Sequence, residues 1–184
     1  AAIAIPATYE GKAVTEIEKN AFLDCTGLTS ISLPYGIKTI GEKAFSGCTG
    51  LTELILPETV KTIGIRAFHN CESLTEFTVP ASVTSIGAQI FYSCDKLNTV
   101  YYNSTYSSQD NPFLNVKSIE TIVFGGSFVP NYIAYNCTNL KTVTILDNVK
   151  YIYDRAFYGC TKLENLTIGD SVTSIGSYAF SDCS

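Results

Sequence analysis

The sequence predicts a repeat solenoid, with a parallel, concave β-sheet along one side and short turns or single-turn helices along the other. Three observations predict it. The seven cysteines, Cys25, Cys48, Cys71, Cys94, Cys137, Cys160 and Cys183, are spaced by 23, 23, 23, 43, 23 and 23 residues. A set of apolar positions, as at Leu51, Leu54 and Leu56, recurs in step with them. A second motif, as in "VKTIGIRAFHNC" at residues 60–71, closes each unit. A fixed period in the twenties marks stacked units, each burying its flank against its neighbour.

Taken in order, residues 1–24 form a partial first unit with a longer loop between Pro6 and Val14. Units 25–93 and 137–182 are regular. Residues 94–136 are irregular and hold two shortened units, with Val116 in the place of a missing cysteine. Each unit carries an L-x-x-L-x-L pattern: Leu28/Ile31/Leu33, Leu51/Leu54/Leu56, Leu74/Phe77/Val79, Leu140/Val143/Ile145 and Leu163/Leu166/Ile168. Alternation at the last two positions has the strand period, so each unit adds one short strand. Pro34, Pro57 and Pro80 follow the strand, where a missing N–H harms no ladder. The chain then turns back through Val60 and Ile63. Gly64 is expected to permit a sharp corner, and "IRAFHNC" suits about one helical turn. The pattern is that of a leucine-rich repeat solenoid over 1–184, a single domain. Seven or eight strands are expected in one parallel sheet over one core, with Phe45, Phe68, Phe157 and Phe180 buried and stacked.

Composition narrows the function. With 46% hydrophobic and 16% charged residues the chain is not a disordered polyelectrolyte. A net charge of −5 offers no electrostatic footprint for nucleic acid. No apolar run reaches membrane-spanning length, so membrane insertion is not expected. The opening "AAIAIP" and the ending "SYAFSDCS" both look uncapped. The chain therefore reads as a segment of a longer protein, its flanks covered by further domains or by contacts between molecules.

"LTSISLPYGIKTIGEKAFSGC" and "LTIGDSVTSIGSYAFSDC" resemble the BspA-like leucine-rich repeat family, as does the "IPATYEGKAVTEI" opening. The V-x-x-I-G-x-x-A-F-x-x-C half is the more distinctive. The resemblance implies microbial proteins of the cell surface or secreted medium, used in adhesion and recognition without catalysis or cofactors. Residues 103–136 depart from the family: "NSTYSSQDNPFLNV" lacks the Trp often found after a "VYY" strand.

The cysteines recur at one repeat position and should stack in a row, reduced and buried as small, weakly polar core residues. Disulfides are the first rival, but stacked side chains point in parallel and seven is odd. A metal row is the second, but zinc needs four ligands converging on a point, so no metal is expected. The one histidine, His69, falls where other units place Ser46, Tyr92 and Tyr158, which reads as a surface turn. The acids form no recurring pair, and Gly125-Gly126 reads as a strand-end turn. No catalytic residue is therefore assigned. Three sequons, at Asn103, Asn136 and Asn165, matter only in a glycosylating host.

Strand alternation turns two rows outward. One runs Ser30, Glu53, Glu76, Thr99, Thr121, Thr142, Asn165; the other runs Ser32, Ile55, Thr78, Tyr101, Val123, Thr144, Thr167. Thr suits exposed strands by propensity alone. The alternative is a recognition face, since solenoids bind extended partners on such surfaces. The expected partner site is Glu53, Ile55, Glu76, Thr78, Thr99, Tyr101 and Val123, extending to Tyr106. Its partner would be a protein or glycan, host extracellular matrix among them. A spacer that lifts another domain from the cell is the alternative function. Tyr102, Tyr132 and Tyr135 add further anchoring potential beside Tyr106 in the irregular units.

Overall fold

The computed structural model describes residues 1–106, 112–113 and 116–183. The chain winds as a solenoid of parallel strands, one coil stacked on the next. The strands of the apolar pattern lie in two parallel ladders. Ala2–Ala4, Ser30–Ser32 and Glu53–Leu54 form the first; Glu76–Val79, Thr99–Tyr102, Thr121–Phe124, Thr142–Ile145 and Asn165–Ile168 form the second. The expected single sheet is thus interrupted between Glu53–Leu54 and Glu76–Val79. Phe77 stands at this seam, at a position that Ile31, Leu54, Val100 and Val143 fill elsewhere. Its ring packs 4.8 Å from both Phe68 and Phe91, adding aromatic volume to the core beneath the strand.

A second line of two-residue strands follows the V-x-x-I motif. Glu16–Ile17, Thr39–Ile40, Thr62–Ile63 and Ser85–Ile86 form one parallel ladder; Phe128–Val129, Tyr151–Ile152 and Ser174–Ile175 form another. The longer loop of the first unit is a small antiparallel hairpin, Thr8–Tyr9 with Lys12–Ala13.

The return side corrects the expectation of single-turn helices: the described residues contain no helix. In each coil that carries a cysteine, two residues adopt left-handed backbone, five and one before the cysteine, as at Lys43 (φ 53) and Gly47 (φ 75) or Arg66 (φ 53) and Asn70 (φ 58). Donors then alternate. Lys43, Phe45 and Gly47 give their N–H to Ile65, Ala67 and His69 of the next coil. Ala44, Ser46 and Cys48 close tight turns onto Gly41, Lys43 and Phe45. A helix would direct every N–H along its own axis; here half of them bond the coils together.

Gly64 is needed for a different reason than a corner. Its backbone is not left-handed, but a Cβ there would lie 2.5 Å from the Glu42 nitrogen of the preceding coil. Gly87 faces Ile65 in the same way, at 2.4 Å.

The core runs the length of the coils between sheet and turns. Phe22, Phe45, Phe68, Phe91 and Phe113 stack with centroids 5.2–6.2 Å apart. Phe45, Phe68 and Phe157 are buried as expected; Phe180 is half-buried but stacks on Phe157 at 5.1 Å. In the irregular units Ala134 replaces the Phe. Phe124, edge-on to Phe157 at 5.6 Å, and Tyr102, edge-on to Phe113 at 6.1 Å, occupy the space. Tyr102 is therefore a core residue and not a surface anchor; its hydroxyl donates to the Tyr106 carbonyl at 3.0 Å. At the two end coils the core rows emerge, with Ile3, Leu166, Ile168 and Ile175 exposed.

Candidate recognition surface

The cysteine row is a packing feature with one polar duty. Cys48, Cys71, Cys94 and Cys160 are buried, and each thiol donates to a carbonyl of the preceding coil. The acceptors are Phe22, Phe45, Phe68 and Ala134, at 3.0–3.3 Å. Burial pushes the Cys48 thiol up to about 11 and the Cys137 thiol to about 12. Cys71 is raised by its hydrogen bond with the Cys94 thiol and by burial. No disulfide joins the seven. The expectation of uniform burial fails at the ends: Cys25 is exposed and Cys183 half-buried, because a coil's own burial depends on having a neighbour on each side.

His69 lies in a turn, as expected, and is half-buried there. Its ring stacks on Tyr92 at 5.5 Å, and Nδ1 lies 3.2 Å from the Ser46 hydroxyl. Burial, then Arg66 and Lys43, hold its pKa below the usual histidine value. The pair has the contact of a serine and its base. Ser46 is only 6% exposed, however, and among the described residues no carboxylate bonds the other ring nitrogen. A nucleophile needs both access and an oriented base.

Two ladders place the expected partner residues. Thr99 pairs with Glu76 and Thr121, and Tyr101 with Thr78 and Val123, so these six share the outward face of the five-stranded ladder. Tyr101 is 39% exposed; Val123 and Thr99 are half-buried, and the Thr99 hydroxyl donates to the Asn98 side chain at 2.8 Å. Glu53 and Ile55 lie across the seam beside Ser30–Ser32. Tyr106 packs against the core instead, its N–H donating to Ser104 Oγ at 2.9 Å. Of the 103–115 segment, 107–111 and 114–115 lie outside the described residues.

A recess on this face lies at the seam's other side. Ala2, Ala4 and Ser32 leave the first strands low, while Tyr35, Ile55 and Pro57 stand up around them, enclosing an open hollow of about 740 Å³. Tyr35 is 80% exposed and Ile55 71%. Sequence reasoning missed Tyr35, which follows Pro34 where other units carry Glu58 and Ala81. That comparison between units was the available signal.

Similarity to known proteins follows the same repeat. The profile of the BspA type leucine rich repeat region matches six copies, over residues 15–137 and 127–184. Among solved structures, a leucine-rich repeat protein of T. pallidum is 30% identical, with TM-score 0.61 over 99% of this chain and 76% of its own. One from Eubacterium ventriosum is 24% identical, with TM-score 0.65, covering 98% of this chain and 45% of its own. No curated protein matches. The 23-residue coil, its cysteine ladder and its V-x-x-I-G-x-x-A-F return place the chain in the BspA-type leucine-rich repeat family.

Proposed function

We propose that the chain is a non-catalytic recognition or adhesion module, displayed on a microbial surface or secreted, that binds a protein or glycan partner on the outward face of its sheet. Membership of the BspA-type family supports the surface location. The observation that carries the binding role is Ile55, a large apolar side chain at 71% exposure, which lines a hollow with Tyr35 over the small residues Ala2, Ala4 and Ser32. Exposed apolar and aromatic groups around a hollow are what a partner desolvates to gain affinity. Glu53, Ile55, Glu76, Thr78, Thr99, Tyr101 and Val123 make the contact surface, without Tyr106, which packs against the core.

The test is a binding screen of the purified chain against matrix proteins and glycans. Ile55→Ala and Tyr101→Ala are then measured beside wild type, with melting curves. A hot-spot side chain costs about 2 kcal/mol of binding when truncated, roughly a thirtyfold loss, with the melt unchanged. Unchanged affinity in both variants removes the site from this face. A screen that finds no ligand at all favours the spacer reading.

A further inference from the structure

On the turn side, away from the sheet, Tyr132, Arg155 and Tyr178 occupy one repeat position in successive coils. The Arg155 guanidinium carbon lies 5.8 Å from the Tyr132 ring centroid and 5.1 Å from that of Tyr178. Its Nη1 donates to the Tyr132 hydroxyl at 2.8 Å. Beside them Tyr135 and Tyr158 stack at 5.2 Å, with Tyr132 tilted against Tyr135 at 5.7 Å. These five side chains line an open cleft of about 430 Å³.

The repeat does not require this cluster. The same positions in earlier coils hold Lys43, Arg66 and Gln89, and Ser46, His69 and Tyr92. Arg66 there spends its Nε–H on Gln89. Tyr132 and Tyr178 sit at φ 55 and 57, a backbone region unfavourable for aromatic residues. Among the described residues no carboxylate forms an ion pair with Arg155. The nearby Asp154 carboxylate accepts instead from the Ser177 N–H at 2.8 Å.

We propose that this cleft binds an acidic sugar, a pyranose carrying one carboxylate, whose carboxylate meets Arg155 and whose ring lies against the tyrosines. The planar guanidinium, held between two rings, presents donors matched to a carboxylate. Tyrosine supplies an apolar face for sugar C–H groups and a hydroxyl for sugar oxygens. The charge count separates this ligand from an acidic peptide. One guanidinium, with the Asp154 carboxylate nearby, suits a single negative charge and opposes a run of them. The site is independent of the sheet face.

Two-dimensional NMR titration of the chain with glucuronic acid and with sialyllactose tests it, against lactose, galactose 6-sulfate and triglutamate. The expected result is saturable shifts at Arg155 and its neighbours with both carboxylate sugars, and binding at least about tenfold weaker for the other three. Arg155→Gln should lose about tenfold or more and Tyr178→Ser a similar amount, while Ile55→Ala changes nothing. Gln is compatible with the backbone here, since Gln89 holds the equivalent position at φ 57. Thermal melts confirm that the variants fold. No saturable binding of either carboxylate sugar, equal binding of lactose, preference for triglutamate or for the sulfate, or an Arg155→Gln variant that binds like wild type would each overturn the proposal.

Discussion

The thiols of Cys48, Cys71, Cys94, Cys160 and Cys183 each span two coils, donating to a backbone carbonyl that already accepts the N–H of its own coil's cysteine. This weak bond, repeated along the row, explains why a small residue with one donor recurs there. Five thiols are buried, one is half-buried and Cys25 is exposed. Native protein treated with a thiol reagent should therefore modify Cys25 quickly and Cys183 slowly, and denatured protein should yield seven. Rapid reaction of Cys71 or Cys94 in the native state would refute the buried ladder. The raised thiol pKa values carry a sign. The folded chain keeps protons that the unfolded chain releases, so stability is complete below about pH 9 and declines as the pH rises from there toward 12. Urea midpoints in reducing buffer read this directly.

The coil's return depends on left-handed backbone one residue before each cysteine, where the sequence places Asp24, Gly47, Asn70, Ser93, Asn136, Gly159 and Asp182. All except Ser93 are the residue types that tolerate this region with least cost. Asn70→Val should lower stability by about 1–2 kcal/mol, while Asn70→Gly stays close to wild type in the same urea titration. At the sheet, the unpaired edge between Glu53–Leu54 and Glu76–Val79 leaves amides without ladder partners. Their hydrogen exchange should be faster than that between Thr99–Tyr102 and Thr121–Phe124. Phe77→Leu, which restores the residue type of neighbouring coils, should slow exchange at the seam. Protection equal to that of the longer ladder in wild type would show that the seam is closed in solution.

Across the whole molecule, the phenylalanine stack is continuous except at Ala134, where Tyr102 and Phe124 fill the space from the sheet side. The irregular units are thus a repacked stretch of one core. Ala134→Phe should not repair the repeat; it should overpack the site and cost about 1–3 kcal/mol. Combining it with Phe124→Val should recover part of that loss, because the two rings compete for one volume. Additive losses in the double variant, measured by urea unfolding, would place the rings in separate spaces.

The period, the strands, the inward rows and the stacked phenylalanines were legible in the sequence, because each is a local alternation repeated at a fixed interval. The cysteine's packing role was legible for the same reason. The outward rows could be enumerated from alternation, but not their relief. The hollow at Tyr35 and Ile55 arises from small residues on strands one and two coils away. Burial of Tyr102, the break at Phe77, the role of Gly64 against Glu42 and the replacement of helices by linked turns were decided by tertiary structure alone. Each depends on how closely one coil approaches the next, a distance set by side-chain volumes and backbone bonds between residues some 23 positions apart in the chain.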